Sequence, residues 1–133
     1  MYFLLVTITC VFTDIGGYIF GKIFKGPKLT KISPNKTYAG MFGGLFLSII
    51  SINLFVNYNS DLNLFFTFEI FIFVILISLV SQIGDILISY FKRKSKIKNT
   101  GMLIPGHGGL LDRVDGMLFA YPFAYILILI GFI

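Results

Sequence analysis

Four of the six acidic residues of this 133-residue chain, Asp14, Asp85, Asp112 and Asp115, stand at or just inside the ends of long apolar stretches. A carboxylate there is costly, at about 2.5–3.5 kcal/mol for an aspartate near the centre of an apolar span. A cation or a water-filled cavity has to offset part of that cost. Asp112 and Asp115 are three residues apart and share a face if a helix has begun by that point. The N-terminal dipole of such a helix favours negative charge. Two carboxylates on one face, with a third from another helix, suit Mg²⁺, which takes oxygen ligands and is held by one or two carboxylates together with substrate phosphates. Neutralisation by neighbouring lysines is the plainer alternative, and residue type alone leaves both open.

The segment between Asp85 and Asp112 is dense first in cations (Lys92, Arg93, Lys94, Lys96, Lys98) and then in glycine (Gly106, Gly108, Gly109). Basic side chains attract phosphates. Closely spaced glycines let successive backbone N–H groups converge into an anion-binding nest, although a Pro-Gly-His-Gly-Gly turn also serves as a simple flexible loop. His107 and Cys10 are the only residues of their types. A His/Cys metal cluster within one subunit is therefore excluded, as is an internal disulfide.

These groups must be positioned by apolar elements. Hydrophobic residues make up 56% of the chain and charged residues 13%, and the mean hydropathy is +0.90. Such values lie outside the soluble range. A span needs about 20 mostly apolar residues, and the stretches at roughly 1–21, 38–58, 64–90 and 113–133 qualify. The expected fold is all-α: one integral membrane domain over 1–133, a polytopic bundle of about four transmembrane spans with two basic cytoplasmic loops. The first stretch lacks a basic n-region and a small-residue cleavage site, so a retained span is expected rather than a signal peptide.

All eleven basic residues fall in two polar loops and their margins, Lys22–Lys36 and Lys92–Arg113, and the connection at 53–63 has none. Lys/Arg excess marks the cytoplasmic side, which puts both basic loops inside and both termini outside. Pro27 and Pro34 in the first loop, and Pro105 with its glycines in the second, predict irregular backbone. Gly17 with Gly21, and Gly40 with Gly44, have the small-xxx-small spacing that lets helices approach closely.

The order of these residues resembles a known family. Ser89-x-Phe-Lys-Arg93, then Lys98, then Leu103-Ile-Pro-Gly-His-Gly-Gly-Leu-Leu-Asp-Arg-Val-Asp115 is similar to the signature of phosphatidate cytidylyltransferases (CDP-diacylglycerol synthases). Two upstream pieces, Asp14-x-x-x-Tyr18-x-x-Gly21-Lys22 and Ser33-Pro-x-Lys36-Thr37-x-x-Gly40, also resemble that family, so the likeness runs through almost the whole chain. The signature is departed from at Asn99, where the family has Asp, and at Ile88, where it commonly has Glu. Family members also usually carry further N-terminal spans.

The resemblance implies transfer of a cytidylyl group from CTP to phosphatidic acid, giving CDP-diacylglycerol and pyrophosphate, in phospholipid biosynthesis at the cytoplasmic face of the cell (inner) membrane. It implies Mg²⁺ on Asp85 of Gly84-Asp85 and Asp112 of Leu111-Asp112-Arg113, with Asp115 in support. Catalytic phosphate contacts are expected from Lys92, Arg93 and Arg113. Substrate-binding roles are expected for Lys98, His107, Gly108 and Gly109, for Lys36 and Thr37 closing the site from the first loop, and for Asp14 and Tyr18 orienting the nucleotide. Expected partners are CTP, phosphatidic acid and membrane lipids, with no nucleic acid; a second copy of the chain or a separately encoded N-terminal piece stays open. The alternatives are a non-catalytic membrane subunit whose basic loops bind anionic lipid, and a relative acting on another lipid phosphate.

Overall fold

The computed structural model describes residues 2–29, 36–58, 66–95 and 111–133, with the side chains of 111–114 left aside. They form four helices: α1 (Tyr2–Phe24), α2 (Tyr38–Tyr58), α3 (Phe68–Lys94) and α4 (Leu111–Leu129). The all-α expectation holds. α1, α2 and α3 are each long and apolar enough to cross a membrane, and the apolar part of α4 with described side chains, Asp115–Leu129, is shorter. In lipid a helix satisfies its own backbone hydrogen bonds, which is why apolar runs of this length adopt it.

The boundaries depart from the sequence reading where local chemistry intervenes. α3 starts at Phe68 rather than near residue 64, because Thr67 caps it by accepting a hydrogen bond from the Ile70 amide at 3.4 Å. Glu69 in the first turn complements the dipole. At its other end α3 continues to Lys94, so Lys92 and Arg93 are helical and not part of a loop. Cations in a last helical turn meet the negative end of the dipole, while their long stems let the charges reach the interface.

The helices pair as two antiparallel hairpins, α1 with α2 and α3 with α4, and α1 and α3 also touch each other. Glycine sets the first pairing. A Cβ on Gly16 would fall 2.6 Å from the Gly43 carbonyl oxygen, and one on Gly40 would fall 2.6 Å from that of Gly17, so backbone meets backbone. Gly17, Gly40 and Gly44 lie in this seam as their spacing predicts, and Gly16 and Gly43, outside that spacing, are crowded there too. Two apolar cores close the bundle. Val6 and Cys10 pack with Phe73, Ile77, Ala120 and Ala124, while Leu5 packs with Ile52, Val56, Ile70 and Val74.

Buried hydroxyls stitch the hairpins together: Thr13 Oγ1 and Ser78 Oγ share a hydrogen bond of 2.7 Å between α1 and α3. Near the opposite end Thr7 and the Tyr121 hydroxyl do the same at 2.7 Å between α1 and α4. The outer surface is apolar, with Phe42, Leu54 and Phe68 all well exposed. A surface of that kind matches hydrocarbon rather than water as solvent.

Candidate active site

Because the hairpins are antiparallel, the C-terminal ends of α1 and α3 and the N-terminal ends of α2 and α4 come to the same end of the bundle. The first connection folds back on itself there. The Leu29 amide donates to the Lys36 carbonyl at 2.7 Å, the Tyr38 amide donates to the Pro27 carbonyl at 3.2 Å, and Lys28 bridges Thr37 in antiparallel fashion. Apart from this single bridge the described residues of the connection are irregular backbone, as its prolines predict. Thr37 then caps α2, its Oγ1 accepting from the Gly40 amide at 3.1 Å. Its hydroxyl is thus occupied in helix capping.

That clasp aims Lys36 across the interface. Its Nζ donates to Asp85 Oδ2 at 2.9 Å and to the Gln82 carbonyl at 3.5 Å, linking the start of α2 to the last turns of α3. Gln82 returns the link by donating to the Met41 carbonyl at 3.4 Å. The Lys36–Asp85 pair is partly accessible, with side-chain exposures of 29% and 22%.

On its other side Asp85 faces Gly116 of α4. A Cβ on Gly116 would lie 2.7 Å from Asp85 Oδ1, 2.5 Å from Ser81 Oγ and 2.8 Å from the Ser81 carbonyl oxygen. Only a residue without a side chain fits there. Immediately before Asp85, Gly84 accommodates Phe119, about one turn beyond Gly116 on α4. Position 112 precedes Gly116 by one helical turn, hence lies on the same face of α4, the face turned to Asp85. Asp115, buried at the start of α4, is paired with Lys92 of α3.

The sequence-predicted residues divide as follows. Lys36 pairs with Asp85 and Lys92 pairs with Asp115 towards the same end of the bundle, and position 112 lies one turn before Gly116 on α4. Asp14 is exposed on α1, within electrostatic range of Asp85 and Lys36. Tyr18, one turn beyond, is exposed with the Lys22 ammonium 5.7 Å from its ring centre. Arg93 is exposed in the last turn of α3. Lys98, Asn99, His107, Gly108 and Gly109 lie outside the described residues, as do the side chains of Asp112 and Arg113.

Among the described residues no three His, Cys, Asp or Glu side chains form a metal-binding group. Asp85 and Asp115 are each neutralised by a lysine, the plainer of the two alternatives left open by residue type. The donor chemistry nonetheless fits a hard divalent ion. Asp85 already holds a cation, in the form of the Lys36 ammonium. The buried Ser81 hydroxyl, beside it at Gly116, has no hydrogen-bond partner among the described residues. Ser81 and Gly116 were missed in the sequence. The Ser-x-x-x-Asp spacing at 81–85, which puts both oxygens on one helix face, was the available signal.

The chain is similar to known proteins over most of its length. The phosphatidate cytidylyltransferase of Staphylococcus saprophyticus is 40% identical over 132 residues, covering 96% of this chain and 49% of that protein. That of Rickettsia typhi is 41% identical over 128 residues, covering 92% and 54%. That of Staphylococcus aureus strain COL is 42% identical over 121 residues, covering 88% and 45%. The chain thus spans about half the length of the curated relatives it matches. The sequence model of the cytidylyltransferase family matches residues 1–130, every helix and both basic segments included, and the chain belongs to that family.

Proposed function

We propose that this chain forms the transfer centre of a CTP:phosphatidate cytidylyltransferase, producing CDP-diacylglycerol and pyrophosphate at the cytoplasmic face of the cell membrane. The observation that carries this reading is the presence of two ion pairs, Lys36–Asp85 and Lys92–Asp115, which join the start of α2 to α3 and α3 to the start of α4 at one rim of an apolar bundle. The names of the relatives point to the same substrate pair. The clustering of the basic residues in the two connections at that rim supports a cytoplasmic placement, where soluble CTP would meet a lipid head group.

In the reaction a phosphate oxygen of phosphatidate attacks the α-phosphorus of CTP. A new P–O–P link forms, the bond from the α-phosphorus to the bridging oxygen breaks, and pyrophosphate leaves with that electron pair. No protein nucleophile is needed, so the protein's work is positioning and electrostatic stabilisation. Asp85 and Asp112, supported by Asp115, are the residues that would hold Mg²⁺. When bound, the ion supplies Lewis-acid neutralisation of charge on the triphosphate and the departing pyrophosphate. Lys36, Lys92, Arg93, Lys98 and Arg113 offer cations to phosphate oxygens, and Gly108 and Gly109 offer backbone N–H groups. His107 of the same segment is the remaining substrate-binding candidate. Asp14 and Tyr18 flank the nucleotide side.

A second reading has an observation of its own: complete pairing of Asp85 and Asp115 with lysines is also what a non-catalytic subunit binding anionic lipid would display. Labelled CTP, Mg²⁺ and a panel of lipid phosphates, added to the purified chain in detergent, separate the two. Transfer to phosphatidate, lost by about 100-fold or more in Asp85→Asn and in Asp112→Asn, is the expected result. Transfer undiminished in both variants removes the metal assignment, absence of transfer favours the non-catalytic subunit, and incorporation only into another lipid phosphate replaces the substrate.

A further inference from the structure

Lys36 reaches Asp85 from a backbone that is tied at its own carbonyl and at the two residues that follow. Its own carbonyl accepts from the Leu29 amide, and just after it the Tyr38 amide is tied to Pro27 and Thr37 caps α2. Asp85 in turn cannot retreat, because Gly84 and Gly116 lock α3 against α4 on either side of its carboxylate. The two backbones are fixed, and the lysine stem is the movable part. Its ammonium is a compact charge on four rotatable carbons, able to change partners without any helix moving.

The environment of the pair also suits exchange. A fully buried pair loses heavily when one partner leaves, whereas a fully exposed one is worth little. Lys36 and Asp85 lie between these limits, with roughly a quarter of each side chain accessible. The Oδ2 atom is the oxygen that Lys36 occupies, while Oδ1 is turned to Gly116 on the Asp112 face of α4. A divalent ion shared between Asp85 and that face of α4 and the ammonium of Lys36 therefore place opposing demands on one carboxylate.

We infer that Lys36 is an exchangeable counter-cation: it neutralises Asp85 until a divalent ion takes its place, and the displaced ammonium then binds nucleotide phosphate. The inference rests on the reading of Asp85 as a metal-holding residue and adds to it a coupling between metal and nucleotide binding. Linkage requires reciprocity. Whatever draws Lys36 away, an incoming triphosphate included, tightens the hold of Asp85 on the ion, and the ion frees Lys36 for the triphosphate. Metal and nucleotide thus bind cooperatively through one side chain.

The test measures Mn²⁺ binding to the purified chain in detergent by the electron paramagnetic resonance signal of the free ion, without nucleotide. CTP binding is followed separately by equilibrium dialysis at saturating Mg²⁺. Lys36→Met is expected to bind Mn²⁺ at least about five-fold more tightly than the unmodified chain and to bind CTP several-fold more weakly. Lys36→Arg keeps the salt link and grips a carboxylate with a two-pronged guanidinium, so it is expected to bind Mn²⁺ more weakly. That variant tests the exchange even where Lys36→Met does not fold. Mn²⁺ affinity unchanged or lowered in Lys36→Met, or unchanged or raised in Lys36→Arg, overturns the inference when Asp85→Asn has abolished Mn²⁺ binding. If Asp85→Asn binds Mn²⁺ like the unmodified chain, the metal reading itself fails and takes the inference with it.

Discussion

Gly116 of α4 lies so close to Asp85 of α3 that a single added carbon would stand 2.7 Å from the carboxylate oxygen. The contact also brings Ser81 to 2.5 Å of the same point, so one glycine fixes the spacing of the two helices at the level of the paired carboxylates. Small residues at such crossings let transmembrane backbones approach, since lipid offers no hydrophobic drive for helix association.

Gly116→Val is therefore expected to force α4 away from α3. The obstacles at Ser81 are a backbone carbonyl and a short buried side chain, neither of which can swing aside. Overpacking of this kind costs about 1–3 kcal/mol. The thermal midpoint in detergent should fall and cytidylyl transfer should fall with it; a variant with both unchanged would show that the close approach is dispensable.

Gly16→Val makes the same test in the other hairpin, where the obstacles are the Gly43 carbonyl and the Gly44 Cα. Loss of the α1–α2 seam displaces Lys36, which is carried by the connection between those helices. A disulfide probe between cysteines introduced across α1 and α2 should form readily in the parent and poorly in the variant. Equal cross-linking would contradict the packing.

Lys92→Met should destabilise the chain by roughly 3 kcal/mol, because it leaves the mostly buried Asp115 carboxylate without its partner. Adding Asp115→Asn to the same chain should recover much of that loss. Unfolding in a denaturing detergent, read for both single variants and the double variant, measures the coupling. Additive losses would mean that the pair contributes no interaction.

Thr13→Val removes the hydroxyl that Ser78 meets at 2.7 Å between α1 and α3. Hydrogen bonds between transmembrane helices are worth about 0.6 kcal/mol on average and up to about 1.7. A modest drop in unfolding midpoint is expected, since other bonds and both apolar cores still join the helices. A collapse of the fold would assign this seam a larger part than its bonds explain.

Much of this architecture was legible in the residues. Runs such as 38–58 can only be helices once lipid surrounds them, because each must satisfy its own N–H and C=O groups. The aspartates at the helix ends stood out because burying charge is costly. The order of the signature between Ser89 and Asp115 was a matter of spelling, legible without coordinates. The α3 boundaries were less legible, since a Thr67 cap and three closing cations extend or trim a helix by local bonds that hydropathy does not register.

Which lysine answers which aspartate was decided only by the fold. Lys36 and Asp85 are 49 residues apart, and Lys92 and Asp115 are 23 apart. Nothing in their spacing pairs them. A helix that is apolar on nearly every face carries little record of its rotation in its hydropathy, so the stripe that faces a neighbour is chosen by packing. Here backbone contacts at Gly16, Gly40 and Gly116 set that rotation, and with it the side chains that meet at the rim.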